Sequence, residues 1–222
     1  MNTRFNVFQQ IHKALRHALA HTLQQIQHTD AGDAAACRQL AAQVQEIILM
    51  FEGHAHTEDS MVFPLISQIA PQVTEDFEQQ HAEDHRLGEE LAAAVDLLEK
   101  AATTEDRATS LQALLFAFNA FTAFNLTHMN AEERVVNPLL WQQYSDAELL
   151  AKTGEIVRSL PPQKDKLYRR WMLRALSFSE IQAWYAMVRE TAPAFVWEDF
   201  VEMAYQELPE SQSLLLLRSK AA

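Results

Sequence analysis

The chain has 222 residues, 48% of them apolar and 22% charged, with four Gly, seven Pro and a formal net charge of −12. This composition excludes collagen-like, low-complexity and disulfide-scaffold classes. Residues 1–140 hold nineteen Asp and Glu against eight Lys and Arg, and such acidity argues against nucleic acid or an anionic membrane as partner.

Helical periodicity predicts four long segments. The first runs from about Phe5 to His28, with Phe5, Phe8, His12, Leu15, Leu19, Leu23 and Ile26 on one face. TDAGDA ends it, and Asp33 is placed to cap the next helix. The second runs from about Ala35 to Ile69, with a kink expected at Pro64. Pro71 falls near the following connection. The third covers about Thr74 to Ala101, and the turn TTED leads into the fourth, about Asp106 to Gln143, which contains Pro138. No stretch alternates as a strand would. The expected fold is all-α: an up-down-up-down four-helix bundle over residues 1–144, with a helical C-terminal extension over residues 145–222.

The two regions differ in composition. All nine histidines lie between His12 and His128, and all eight Tyr and Trp lie from Trp141 onward. Ser145, Ser177 or Ser179 and the Pro pairs look like helix starts in the extension. The extension is expected to pack its Trp and Tyr on the bundle; a protein partner or a second copy of the chain binding through residues 145–222 is the other reading. One cysteine, Cys37, cannot form an internal disulfide and suits a reducing cytosol. The opening MNTRFNVFQQ has no signal-peptide character. No run approaches the roughly 18 apolar residues of a membrane span.

The chemistry is carried by polar pairs at i and i+4, which lie only about 40° apart on a helix. His54 and Glu58 form one pair, His81 and His85 a second, His128 and Glu132 a third. The first and third belong to an internal repeat, H-x-x-x-E-acidic-x-x-x-x-P. His12 adds a seventh group, on the apolar line of the first helix. Counting residues from each group to the helix ends brings all four helices to one level within roughly 10 Å. Burying seven ionisable groups unpaired costs several kcal/mol each. Metal coordination removes that cost and explains the residue types.

The same angles sort the remaining groups. His56 is about 200° from His54, and Glu133 about 140° from His128, so both are expected to face outward, Glu133 with Asp59 as a solvated neighbour. His17, His21 and His28 share a line with Lys13 and Gln24, a solvated face. Five histidines and two carboxylates suit two iron ions, with the carboxylates bridging. His81, His85 and His128 would complete one iron. His12 and His54 would leave the other a ligand short and open to a small molecule. A ferritin-like site wants two Glu-x-x-His motifs, and only Glu78–His81 fits.

These motifs, IHKALR at His12, HAHTE at 54–58, HAEDH at 81–85 and HMNAEE at 128–133, resemble the hemerythrin-like, or HHE cation-binding, family over residues 5–143. The resemblance implies a four-helix bundle with an oxo- or hydroxo-bridged di-iron centre that binds dioxygen at the two-histidine iron. Oxygen carriers of the family place Asp five residues after the last histidine, where this chain has Glu133, with Glu132 at four. Phe121, Phe124, Met50, Phe51 and Met61 would keep water from the bound gas. Gly88 reads as a close-packing contact. The expected function is a cytosolic bacterial-type protein that binds dioxygen or a related diatomic for storage, delivery or sensing. The alternatives are peroxide or nitric oxide turnover, repair of iron–sulfur clusters, or a structural metal.

Overall fold

The structure, a computed structural model, describes residues 4–218. Its elements are all helical, and no strand occurs among the described residues. They are α1 (Gln9–His28), α2 (Ala34–Thr57), a π-helical turn (Glu58–Val62), a 3-10 turn (Phe63–Leu65), α3 (Pro71–Lys100), α4 (Thr104–Gln143), α5 (Asp146–Ser159), α6 (Pro162–Ala175), α7 (Phe178–Thr191), α8 (Ala194–Glu207) and α9 (Glu210–Arg218).

Local side-chain chemistry sets many of the boundaries. An exposed first turn leaves backbone N–H groups without helical partners, and a side-chain oxygen satisfies them. Asp33 accepts from the amides of Ala35 and Ala36, both at 2.9 Å. Thr103 and Asp106 form a reciprocal capping box at the start of α4, and Ser145 and Glu148 do so for α5. Pro71 and Pro162 open α3 and α6, where a missing N–H costs nothing.

The expected kink at Pro64 is a longer irregularity. Regular α-helix ends at Thr57, six residues before the 3-10 turn that contains the proline. Proline cannot donate to the preceding turn and crowds it. The strain is taken up N-terminal to it, in the π turn. Thr57 Oγ1 bonds back to the Gly53 carbonyl at 2.8 Å and Ser60 Oγ to that of His56 at 2.7 Å, contacts that bend helices. Glu58, one of the expected ligands, is the first residue of this turn.

The chain divides into two compact units. One comprises the chain up to Gln9 and residues 18–160; the other comprises residues 10–17 and the chain from Pro161 onward. The division therefore falls after α5, not at the expected residue 144/145. Leu149 of α5 is buried in one cluster with Phe8, Val62, Phe63, Ile66, Phe77, Val136 and Leu140, and apolar burial of that kind holds an element to its unit. In the first unit α3 packs against both α2 and α4. In the second, Leu173, Leu176, Ile181, Trp184, Tyr185, Phe200 and Met203 build a separate core. Its Tyr185 hydroxyl donates to the Phe200 carbonyl at 2.8 Å. No helix among the described residues is long and apolar enough to cross a membrane.

Candidate metal centre

Glu58, His81, His128 and Glu132 offer ligand atoms that all lie within 4.8 Å of one another, and all four residues are buried. Three elements deliver them: the π turn, α3 and α4. Glu132 is 0% exposed and Glu58 2%. His128 Nε2 lies 3.1 Å from Glu132 Oε1, one helical turn along α4. His81 Nε2 lies 3.4 Å from Glu58 Oε2 and 3.8 Å from Glu132 Oε1. His54, also buried, joins from α2 with its Nε2 3.1 Å from Glu58 Oε1. The two i, i+4 pairs of the sequence repeat thus both bring an imidazole and a carboxylate inward. His12 is wholly buried on α1.

The imidazoles of His81 and His128 are oriented from behind. His81 Nδ1 lies 2.7 Å from Asp59 Oδ1, and His128 Nδ1 lies 3.0 Å from Gln80 Oε1. A carboxylate and an amide oxygen only accept, so both Nδ1 atoms carry protons. Both Nε2 lone pairs then point at the same place, and these atoms are 3.1 Å apart. Two lone pairs so placed, beside two carboxylates, favour a cation between them. Without metal that cation is a proton on His81. Burial works against the charged ring, but hydrogen bonds to Glu132 and Glu58 and the charges of Glu58 and Asp59 outweigh it, and the imidazolium pKa is pushed up to about 11. A metal ion supplies the same charge with more of it. Neutral imidazole and carboxylate oxygen are a donor set that suits iron and its first-row neighbours, and a hydrogen-bonded Nδ1 is the usual support for such a ligand. The residues fit the group.

Aromatic rings close this group in. Phe63 stacks on His81 with centroids 5.4 Å apart, Phe124 stacks on His128 at 5.7 Å, and Phe77 meets His128 edge-on at 5.7 Å. Phe121 packs instead on Phe51. Of the expected apolar residues, Phe124 is a direct neighbour of a histidine, joined by Phe63 and Phe77, which were not expected.

His85 stands apart from this arrangement. Its side chain is 63% exposed and its Nε2 lies 3.5 Å from Glu89. The reason is angular. The buried residues of α3, from Thr74 through Phe77, His81, Asp84, Gly88 and Leu91 to Leu98, occupy about 160° of its circumference, at about 100° per residue. His81 lies near one edge of that stripe, and a further step of about 40° carries His85 out of it. The expected inward pair His81–His85 is corrected accordingly: the buried polar neighbour of His81 is Asp84, at i+3. Asn125 Nδ2 donates to Asp84 Oδ1 at 2.6 Å. Burial raises the Asp84 pKa, against the opposing pull of Asn125 and of the histidines His128, His81 and His54.

Asp59 is exposed, as expected, and in addition its carboxylate orients His81. Gln80 and Asn125 carry no motif signal at all. Glu133 is half-buried and accepts from Asn6 Nδ2 at 3.2 Å. His56 and His28 are exposed, as expected. His17 is half-buried and meets the Trp171 ring edge-on at 6.0 Å, so it is a packing residue and not part of a solvated face.

Beside the group, between the end of α2 and α3, lies an open pocket of about 390 Å³ lined by Glu52, Ala55, His56, Asp59, Glu78, His81, Ala82, Asp84 and His85.

Comparison with known proteins agrees with this chemistry. The sequence pattern described as the hemerythrin HHE cation-binding domain matches residues 3–140. The chain is also similar to a BRUTUS-like zinc finger protein of Arabidopsis thaliana, 23% identical over 163 residues. That alignment takes in 73% of this chain and 13% of the length of the plant protein. No solved structure matches. With the family pattern extending over more than half of its length and a buried imidazole–carboxylate cluster inside the matched segment, the chain belongs to the hemerythrin HHE cation-binding domain family.

Proposed function

We propose that the buried cluster holds two iron ions and that the protein takes up dioxygen or a related diatomic ligand there. The carrying observation is the convergence of His81 Nε2 and His128 Nε2, 3.1 Å apart, on the two carboxylates Glu58 and Glu132. We assign His81 and His128 to one ion and His54 to the other, with Glu58 and Glu132 shared between them; His12 is added to the second ion on the sequence pattern alone. On this reading α1 to α4 form an up-down-up-down four-helix bundle that supplies ligands from every helix. When bound, a bridged iron pair supplies reversible one- or two-electron chemistry at a small ligand. The chain's own contribution is to fix four imidazoles, to share two charges and to keep bulk water away with Phe63, Phe77 and Phe124. The lone buried Cys37 suits a reducing compartment such as the cytosol.

One observation favours a second reading. With His85 outside the group, each ion has two imidazoles, and the expected contrast between a saturated and an open iron disappears. Two open positions suit turnover of peroxide or nitric oxide as well as reversible binding. The test is an optical spectrum of the iron-loaded, anaerobically reduced protein before and after oxygen. A charge-transfer band that appears with oxygen and vanishes on degassing supports reversible binding. A transient band with continued consumption of reductant supports turnover. Metal analysis finding a single zinc and no second metal overturns both.

A further inference from the structure

We propose that the open pocket beside His81 is the uptake site for the metal, a place where a divalent transition ion binds in passing before it reaches the buried cluster. This inference rests on the reading that the cluster holds metal. The pocket is built of the right donors. His56 and His85 supply imidazoles, and Glu52, Asp59, Glu78 and Asp84 supply carboxyl groups; its lining holds no Lys or Arg. Carboxylates concentrate cations, and imidazoles select transition ions over calcium or magnesium.

Its position is the second observation. His81 lines the pocket and also belongs to the buried group. Its Nδ1 faces Asp59, whose side chain is 42% exposed, while its Nε2 faces His128 and Glu58. His81 is therefore common to the pocket and the cluster. Phe63, Phe77 and Phe124 also pack on these rings and offer a cation no donor. Asp59 and Glu58 are successive residues of the π turn, one on the pocket side and one in the cluster. An ion can thus exchange water for Asp59, pass the ring of His81 and arrive at Glu58 without losing contact with a ligand. His85 has its role here: one helical turn beyond His81, it is an outer donor and not a resident ligand.

The experiment follows cobalt(II) uptake by the metal-free full-length protein under anaerobic conditions. Uptake is timed by cobalt absorption, and final metal per chain is measured by elemental analysis. His56→Ala combined with Glu78→Gln should slow uptake by about tenfold, the lower end of the range for electrostatic steering, and His85→Ala should slow it in the same direction. Final cobalt content should equal that of the wild type in both. Glu105→Gln, in the first turn of α4, should change neither quantity. Unchanged uptake rates in the pocket variants would overturn the proposal. So would a lower final content, which would make these residues resident ligands. Wild-type protein that takes up no cobalt would instead overturn the metal-centre reading itself, and the uptake site with it.

Discussion

Asp59 holds His81 from the outer side, 2.7 Å from its Nδ1, and thereby aims Nε2 at His128. This contact fixes both the tautomer and the ring plane of a residue at the edge of the buried stripe of α3. Asp59→Ala should keep the protein folded and able to bind metal, but should weaken metal retention by about tenfold, as loss of such supports does at other metal sites. Competition against a chelator measures it. Retention equal to the wild type would mean that Phe63, stacked on the ring, orients His81 alone.

How far this site was legible in the sequence depends on which rule each residue obeyed. Asp33, Thr103 and Ser145 announce their helices because capping is local chemistry. His54–Glu58 and His128–Glu132 are legible for the same reason: spacing along one helix fixes their relative direction. His85 was not, because spacing cannot say where the buried stripe has its centre. That centre is set by α2 and α4 packing on α3. Asp59 is exposed, as read, but its contact with His81 was not legible, because the π turn, with its i→i+5 bonding, breaks the regular angular step. The unit boundary after Leu160 depends on Leu149 finding a place beside Phe8 and Val136, a long-range contact with no local signature.

Gly88 lies on the buried stripe of α3, but its lack of a side chain is not required there. A Cβ at this position would meet Ile48 Cγ2 at 3.9 Å and Phe121 Cε2 at 4.0 Å, which is ordinary van der Waals contact. The expectation of a close-packing glycine is thus not what the geometry demands. Glycine inside a helix costs about 1 kcal/mol relative to alanine. Gly88→Ala should therefore stabilise the protein by about that amount and raise Tm by about 2–4 °C, with metal content unchanged. A fall in Tm would show that the methyl group does not fit.

The second unit has its own pH-sensitive contact. Glu180 accepts two bonds from Lys13 Nζ, at 2.6 and 2.8 Å, and caps α7 by accepting from Ser177 Oγ at 2.6 Å and the Ser177 amide at 2.8 Å. Burial works against the charge, but these bonds prevail and lower its pKa from 4.5 to about 2. A carboxyl with a depressed folded-state pKa contributes stability above its unfolded pKa, and that contribution is lost as pH falls towards the folded value. Glu180→Gln should accordingly lower stability at neutral pH and lose less of it between about pH 5 and pH 2 than the wild type does. Urea unfolding across that range measures the difference. Parallel loss in both proteins would remove Glu180 from the acid response.

The neighbours Glu132 and Glu133 separate the proposed bridging carboxylate from a structural one. Glu132 is wholly buried, 3.1 Å from His128 Nε2 and 3.8 Å from His81 Nε2. Glutamine there keeps the shape of the side chain and removes its charge. It also places an amide donor among imidazoles whose lone pairs are needed for metal. Glu132→Gln should therefore lower bound metal per chain. Glu133 accepts from Asn6 Nδ2, which belongs to a chain of bonds that continues from Asn137 Nδ2 to Asn6 Oδ1 at 2.7 Å. A glutamine oxygen can still accept from Asn6, so Glu133→Gln should bind as much metal as the wild type. Elemental analysis gives the metal content, and circular dichroism checks that both variants keep their helices. The physical difference is that charge at position 132 lies among candidate ligands, whereas position 133 is in no such group. The reverse order, with Glu133→Gln losing metal and Glu132→Gln retaining it, would move the bridging carboxylate to the five-residue spacing of the oxygen carriers.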